Sequence, residues 1–260
     1  MTDTDADLSA VDTAARAWMK AVGLFALTQP GGHCRTGPHG TSALVTGAPT
    51  PLLNGVISTV RLADPEEIAA LAAAERPASV PWSLQLRGTQ VDDRIAATAA
   101  GHGLTERSHL PFMLKELDER ELTEPGAGQV KVRRITGAEG NVYRAALAAG
   151  YEGPEEAFAV FAAPAVMDHP TMRAYVAEED GVVVATSFGV FVDSHVGVFN
   201  IAVPPQHRRH GYGTAATAAV LRDGYEVGKR TAFLHASVLG VPLYRTMGFH
   251  VAEEWTLFTP

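Results

Sequence analysis

Apolar and polar positions alternate with strand periodicity in several stretches of the second half of the chain and recur with helical spacing in others. VKVRRI at 130–135 alternates like a strand, and a helical stretch follows over 138–149. Three runs rich in β-branched and aromatic residues come next, separated by turn-type pairs at 180–181 and 193–194. These runs predict a meander of antiparallel strands.

The pattern changes again after residue 203. A polar, glycine-containing loop leads into TAATAAVLRDGYEVGK, whose apolar positions have helical spacing, and then into the strand TAFLHAS. Pro242 suits a first helical position and Gly248 a C-terminal cap, so a short helix precedes a last strand from Phe249. The predicted order is β-α-β-β-β-α-β-α-β, an α/β (α+β) fold with a mixed, mostly antiparallel sheet flanked by helices.

The first half repeats this alternation more weakly. Strands ALVTG, GVISTVRL, WSLQLRG and LPFMLKEL alternate with a helix PEEIAALAAAE and a helix through IAATAAGHGL. Its end, GLTERSHLPFMLKEL, aligns with GFHVAEEWTLF near the end of the chain, which points to a duplication. Charges, a proline and two glycines at 118–129 are typical of an exposed connection. We therefore predict two domains, 1–120 and 129–260.

Composition narrows the class of protein. A net charge of -8 argues against an extended phosphate-backbone interface, so we expect no nucleic-acid partner. The single cysteine, Cys34, excludes an intramolecular disulfide and suits a reducing compartment. The acidic first residues lack the features of a signal peptide, and no stretch approaches the roughly 18 apolar residues of a membrane span. We expect a cytoplasmic protein without a membrane partner, as a monomer or homodimer.

A glycine-containing loop is the strongest candidate for chemistry. Its residues are Arg208, Arg209, His210, Gly211, Tyr212, Gly213 and Thr214. Because the loop follows a strand and opens a helix, its backbone N–H groups converge at the positive end of the helix dipole. The two glycines remove Cβ atoms that would hold a phosphate away from the amides, and Arg208 adds charge. The loop therefore predicts a pyrophosphate site.

Three nucleotide-binding patterns compete for this loop. The P-loop pattern fails because no Gly-Lys-Ser/Thr follows at the required spacing. The dinucleotide pattern G-x-G-x-x-A matches at 211–216, but the 44 residues after Ala216 are too few for a doubly wound sheet, and no acidic residue ends the next strand. The third pattern, Gln/Arg-x-x-Gly-x-Gly/Ala, is satisfied by Arg208, Gly211 and Gly213.

This loop, the strand that ends before it and the closing segment LYRTMGF at 243–249 together resemble the GNAT superfamily of acyltransferases over roughly 130–260. The front half is similar to the degenerate first domain of tandem GNAT proteins. It has no Arg/Gln-x-x-Gly-x-Gly loop, so the resemblance implies one competent cofactor site per chain.

The resemblance implies that the thioester of acetyl-CoA lies between two parallel strands that separate, here 196–203 and 231–237. Ile201, Ala202 and Val203 would then contact the pantetheine arm and the acyl carbonyl, while the loop holds the pyrophosphate. Donors aimed at that carbonyl stabilise the oxyanion of the tetrahedral transition state.

Two further residues take roles from the resemblance. Tyr244 matches the general acid that protonates the departing thiolate, because a phenol with a pKa of about 10 stays protonated at neutral pH. The alternative for Tyr244 is a core aromatic residue. Ser237 either lies near the cofactor or caps the end of its strand.

The amine nucleophile must lose a proton, and the sequence leaves the base open. His235 has a suitable intrinsic pKa, and Asn200 interrupts an apolar strand where it can hold a water molecule. The commoner outcome for either side chain is burial with backbone partners. His207 and His210 lack further ligands for a metal, and His33, Cys34 and His39 are interpreted as a flexible surface loop. No metal is expected.

These features predict an N-acetyltransferase that moves an acetyl group from acetyl-CoA to a primary amine of a small molecule or peptide. The alternative is a non-catalytic module that binds CoA or acyl-CoA as a regulatory ligand. A third hypothesis keeps the chemistry and admits longer acyl chains through the shape of the pocket around Phe199.

Overall fold

The structure, a computed structural model, describes residues 3–77, 79–123 and 130–260. The chain forms two compact units, and neither unit is one continuous stretch of sequence. The first takes residues up to 113 together with 235–241 and 251–260, and the second takes 114–234 and 242–250. Residues 124–129 of the predicted connection lie outside the described residues, and the two-domain boundary stays a prediction.

Helices and strands alternate along most of the chain. In chain order they are α1 Asp3–Leu27, β1 His33–Thr36, β2 Thr41–Val45, β3 Asn54–Ser58, α2 Pro65–Glu75, β4 Ser83–Arg87, α3 Asp93–Gly101, β5 Glu106–Glu116, β6 Lys131–Ile135, α4 Gly140–Tyr151, α5 Ala159–Ala162, α6 Pro164–Met167, β7 Met172–Glu179, β8 Val182–Val192, β9 His195–Ala202, α7 Tyr212–Glu226, β10 Thr231–His235, α8 Val241–Thr246 and β11 His250–Thr259.

The first unit contains a mixed sheet. Strands β1, β2 and β3 pair antiparallel, β3 pairs parallel with β4 across α2, and β11 pairs antiparallel with β4. Helices α2 and α3 pack on a core that includes Ile68, Leu84 and Ile95. Helix α1 was not predicted from the sequence, although its Trp18 and Phe25 are buried in the core.

The second half of the chain has the predicted order of elements, and its last strand, β11, belongs to the first unit from residue 251. Strands β6, β7, β8 and β9 pair antiparallel in succession, and β9 pairs parallel with β10 across α7. Asp180 and Gly181 both adopt positive φ in the predicted turn between β7 and β8. The mixed, mostly antiparallel sheet with flanking helices is confirmed, with α5 and α6 as short additions after α4.

Helices α4 and α7 cover opposite faces of β9. A Cβ atom added at Gly150 of α4 would lie 2.6 Å from the Cβ of Ala202, and one added at Gly224 of α7 would lie 2.8 Å from Cγ1 of Val196. Residues 196 and 202 would share a face of a regular strand, because side chains alternate with a period of two. The strand must therefore contain one extra residue between them.

One sequence interpretation is corrected. His33 and Cys34, interpreted as part of a flexible surface loop, lie in strand β1, where Cys34 pairs with Leu44 of β2. The neighbouring Gly and Pro residues favoured the interpretation as a surface loop. The segment is a strand because it pairs antiparallel with β2.

The two halves of the chain share an order of elements. The series β1-β2-β3-α2-β4-α3-β5 has the same strand and helix order as β7-β8-β9-α7-β10-α8-β11. In both series a meander leads into a parallel pair that spans a helix. Duplication stays a prediction, and the shared order supports it.

Candidate active site

A β-bulge interrupts strand β9 at Asn200. The pairing of β8 with β9 shifts between Thr186, which faces Ala202, and Phe188, which faces Phe199. Asn200 adopts φ +54°, a left-handed conformation that asparagine tolerates better than most residues. Thr186 fixes the bulge because its Oγ1 donates a hydrogen bond of 2.8 Å to the Asn200 carbonyl. A bulge of this kind redirects side chains and is common beside active sites.

Strands β9 and β10 separate shortly before this bulge. Their parallel pairing covers three positions and ends with Phe233 opposite Gly197. Strand β9 continues to Ala202 beyond the last paired position. The predicted parting of two parallel strands is therefore present in the second unit.

Helix α7 begins at Tyr212, within the predicted loop 208–214, with an N-terminus that no side chain caps. Gly211 occupies the N-cap position in the left-handed region, at φ +84°, which glycine adopts without steric cost. The amides of the first turn, at 212–214, have no acceptor within the described residues. No acidic residue lies in this turn. Uncapped amides at the positive end of a helix suit an anion such as a phosphate.

The two loop glycines have different surroundings. A Cβ at Gly211 would meet nothing within 4 Å, whereas one at Gly213 would lie 3.3 Å from Leu243 of α8 and 3.6 Å from Val203. The sequence assigned both glycines to phosphate clearance. The structure instead gives Gly213 a packing role, since its missing side chain lets α8 and β9 approach the start of α7.

The Arg208 side chain points to the end of α4. Its Nη2 donates to the Gly150 carbonyl at 3.2 Å and to Oε1 of Glu152 at 2.6 Å, and its Nε donates to the Val203 carbonyl at 3.1 Å. These bonds tie the loop to the C-terminus of α4, where a cation is favourable. The charge that Arg208 was predicted to bring to a pyrophosphate is thus shared with Glu152.

The other loop residues differ in exposure and in their contacts. Arg209 is exposed and has φ +69°. The imidazole of His210 stacks on the Tyr212 ring at 5.6 Å, and Thr214 is half-buried in the first helical turn. The Tyr212 hydroxyl donates to Glu179, which anchors the start of α7 to β7.

Tyr244 is nearly buried in α8, with its ring edge-on to Phe249 at 5.8 Å. Burial raises its pKa above the ordinary value for tyrosine, and the nearby Tyr151 phenol raises it further. Its neighbour Leu243 packs beside Gly213, so α8 lies against the start of α7. Tyr244 is therefore a protonated phenol throughout the physiological pH range, on the element next to the loop.

Sequence reasoning identified Asn200 at the bulge but not Ser187 and Tyr143, the other two polar residues of this cluster. The Nδ2 atom of Asn200 is buried and has no acceptor at bonding geometry in the described part of the chain, and the same holds for Oγ of Ser187. The Tyr143 hydroxyl donates to the Ser187 carbonyl at 3.1 Å. Burial raises the pKa of Tyr143 well above its ordinary value, while the adjacent Asn200 amide opposes that rise. The Asn200 amide, which lies beside Tyr143 without a bond at full hydrogen-bonding geometry, has the capacity to donate to a partner from outside the chain.

The residues that follow the bulge form the end of β9. Ala202 is buried, and Ile201 and Val203 are half-buried. Gly150 covers one face of this backbone, and Gly213 lies against the side chains of Ile201 and Val203 on the other. Asn200, these three residues, the loop and Tyr244 all belong to the second unit.

His235 belongs to the first unit, among aromatic rings. Its centroid lies 5.0 Å from Trp18, 5.0 Å from Phe112 and 4.8 Å from Trp255. Burial lowers its pKa to about 3, and its Nε2 has no partner among the described residues. A base this weak is unsuited to taking a proton from an amine, so these surroundings argue against the base role.

Ser237, also in the first unit, lies in the turn after β10. Its Oγ and its carbonyl oxygen both accept from the Gly240 amide, at 3.1 and 2.9 Å. This arrangement matches the strand-end cap that was the alternative to a cofactor contact.

The corresponding helix of the first unit is closed to anions. Asp64 caps α2 by accepting from the amides of Glu66 at 2.9 Å and Glu67 at 3.4 Å. Glu66 and Glu67 themselves lie in the first turn. A carboxylate thus occupies the position that a phosphate would take, with more negative charge beside it. This observation supports a single anion site, on α7.

The described residues contain neither a cluster of metal ligands nor a membrane-spanning helix. Within the ranges that the structure describes, no group of three or more His, Cys, Asp or Glu side chains is arranged to hold a metal ion. Over the same ranges, every helix is too short or too polar to cross a membrane.

Part of the chain also matches a known protein family in sequence. Residues 141–249 match the model of the acetyltransferase (GNAT) family. No curated protein matches the sequence. The matched range contains the bulge of β9, the loop before α7, and α8 with Tyr244.

Solved structures share the fold over most of the chain. A GCN5-related N-acetyltransferase from Kribbella flavida is 21% identical with a TM-score of 0.64, covering 96% of this chain and 95% of that one. A functionally unknown conserved protein from Staphylococcus epidermidis is 14% identical with a TM-score of 0.62, covering 88% and 93%. A GCN5-related N-acetyltransferase from Sphaerobacter thermophilus is 17% identical with a TM-score of 0.57, covering 85% and 76%. Fold and family together support acetyl transfer from acetyl-CoA as the class of reaction. Residues 141–249 thus identify the chain as carrying a domain of the acetyltransferase (GNAT) family.

Proposed function

We propose that this chain transfers an acetyl group from acetyl-CoA to a primary amine of a small molecule or peptide. The observation that carries the proposal is the uncapped N-terminus of α7, the first long helix after a strand that has separated from its parallel neighbour. The amides at 212–214 would hold the pyrophosphate. The pantetheine arm would then run back along the end of β9.

The residues after the bulge would bind the reactive end of the donor. The backbone of Ile201, Ala202 and Val203 would contact the pantetheine and the acyl carbonyl. Amide donors that face this oxygen stabilise the negative charge it acquires in the transition state, an effect often worth about 3 kcal/mol per donor.

Transfer then needs bond changes at carbon, sulfur, nitrogen and oxygen. The neutral amine nitrogen attacks the carbonyl carbon, the C–S bond breaks, and the thiolate takes a proton from the hydroxyl of Tyr244. The new amide nitrogen loses its second proton to water, and the tyrosinate takes a proton back from water, so one N–H proton moves in net to sulfur. A phenol with a raised pKa stays protonated until the thiolate forms, as a general acid must.

The proton of the incoming ammonium group leaves by a different route. His235 is unsuited to accept it, because burial lowers its pKa to about 3. Asn200 provides an unpaired Nδ2 donor at the bulge, which would hold the oxygen of a water molecule that relays the proton to solvent. Asn200 is then a positioning residue, and water is the base.

Two measurements test the proposal. Titration calorimetry with CoA should give one site per chain, because α2 of the first unit is closed by Asp64 while α7 is open. Thiol release from acetyl-CoA should then appear with at least one member of a panel of polyamines, aminoglycosides, amino acids and peptides.

The two measurements separate the outcomes. Tight CoA binding without thiol release across the whole panel would favour a regulatory module that binds CoA and performs no transfer. Absence of any CoA binding by the folded chain would refute both hypotheses.

A further inference from the structure

We infer that Phe199 and Phe233 form the wall that limits the length of the acyl group. The inference rests on the proposed function, because it concerns the acyl end of the same donor. Phe199 lies next to the bulge in β9, and Phe233 lies at the last paired position of β10.

The two rings lie where the gap between the strands closes. Phe233 faces Gly197 across the final pair, and Phe199 lies two residues further along β9. The rings meet edge to face, with centroids 6.2 Å apart and planes at 87°. Phe233 is fully buried and Phe199 half-buried, so the closed end of the gap is lined by aromatic carbon.

Gly197 allows both rings to lie over the backbone at this point. A Cβ atom there would lie 2.5 Å from Cε2 of Phe199 and 2.7 Å from Cε2 of Phe233. Contacts this short do not occur in real structures, so any other residue would displace a ring. The rings therefore fill the space over Gly197, as expected for close-packed interiors.

The direction of the donor follows from the position of the loop. Its pyrophosphate would lie at the start of α7, beyond the end of β9, so its acyl end points back along β9 toward Phe199. The bulge places Phe199 and Asn200 away from α7, since Val196 and Ile201 are the residues that face that helix. An acyl chain that continues past the carbonyl site therefore meets the Phe199 ring.

Distance along the strand sets the available length. From Ala202 back to Phe199, across the bulge, β9 lies opposite the two-residue span from Thr186 to Phe188 of β8, which covers about 6 to 7 Å. This span accommodates an acetyl group and stops a long unbranched chain at the two rings. The predicted donor class is therefore short acyl-CoA, with acetyl preferred over hexanoyl.

The test measures binding of acyl-CoA esters, so it requires no knowledge of the acceptor. Acetyl-CoA, butyryl-CoA and hexanoyl-CoA are titrated into the parent chain, into Phe199→Ala and into Phe233→Leu. Val198→Ala is the matched control, since Val198 lies on the same strand and is buried. Circular dichroism and melting temperature establish that each variant folds.

The parent should bind hexanoyl-CoA at least about tenfold more weakly than acetyl-CoA. Phe199→Ala should remove most of this difference by strengthening hexanoyl-CoA binding. Val198→Ala should keep the parental preference.

Three results would overturn the inference. The first is equal binding of the three esters by the parent. The second is a preference for acetyl-CoA over hexanoyl-CoA that stays unchanged in both phenylalanine variants. The third is a preference that Val198→Ala relaxes as much as Phe199→Ala does. In each of these cases acetyl-CoA still binds, so the proposed function stands. If the folded parent binds none of the esters, the proposed function itself fails and the inference falls with it.

Discussion

Arg208 and Glu152 form an ion pair that joins the loop before α7 to the C-terminus of α4, with Nη2 and Oε1 2.6 Å apart. Both side chains are substantially exposed, at 45% and 59%. An exposed pair adds little to the free energy of unfolding, about 0 to 1 kcal/mol. The ion pair should therefore change the electrostatic potential near the loop more than it changes the free energy of unfolding.

Glu152→Gln should strengthen CoA binding about two- to fivefold at low salt, because it removes a negative charge near an anionic ligand. The melting temperature should change little. Glu226→Gln is the control, since it removes one charge at the opposite end of α7. Titrations at two salt concentrations check the prediction, and an equal gain in both variants would show that only net charge matters.

Gly211→Asp should abolish CoA binding, because it places a carboxylate beside the uncapped amides of α7. The change also carries a backbone cost of roughly 1 to 2 kcal/mol, since position 211 has φ +84°. Gly228→Asp is a matched control, because Gly228 follows the other end of the same helix with φ +83° and open space around it. Calorimetry on both variants separates strain from charge, and parental affinity in Gly211→Asp would refute the site.

Tyr244→Phe should lower kcat by about 10²- to 10⁴-fold while the Kd of CoA stays within a few-fold of the parent. The parent should keep its activity as pH rises through 10, because burial raises the pKa of Tyr244 and the acid stays protonated. Tyr225→Phe controls for loss of a phenol elsewhere in the unit. Steady-state rates across pH 7 to 11 check this, and an unchanged kcat would leave Tyr244 as a packing residue.

The His235→Phe variant should lose less stability than the parent as the pH is lowered. Burial lowers the pKa of His235 from 6.5 to about 3. Below pH 6.5 the unfolded chain therefore binds a proton at His235, whereas the folded chain binds it only near pH 3. Its contribution to stability is thus present above pH 6.5 and is lost as pH falls toward 3. Melting temperatures from pH 8 to 4 should show a smaller slope in the variant.

The same variant tests the assignment of the base. Activity at pH 7.5 should be close to that of the parent, because water rather than His235 takes the proton in the proposed mechanism. A loss of kcat above about 100-fold in a variant with parental CoA affinity would restore His235 as the base.

Features encoded in local sequence were predictable. Helical periodicity from Thr214 predicted α7, which begins two residues earlier at Tyr212, and the residue pair at 180–181 predicted the turn between β7 and β8. These signals need only a few neighbouring residues. The element order of the second half of the chain follows from signals of this kind.

Features that depend on tertiary contact were not predictable. The ion pair of Arg208 with Glu152 joins residues 56 positions apart, and nothing in the loop sequence selects that partner. The bulge at Asn200 depends on the register against β8, which period-two alternation does not encode. His235 has an ordinary intrinsic pKa, and only the rings packed around it remove its basicity.

The pairing of β11 with β4 affects the order in which the chain can fold during synthesis. Trp255 lies opposite Arg87, so a strand near the N-terminus receives its neighbour from residues that leave the ribosome about 170 positions later. The first unit is therefore incomplete until the second has been fully translated. A fragment that stops at residue 249 would expose an edge of β4, and an exposed edge strand favours aggregation.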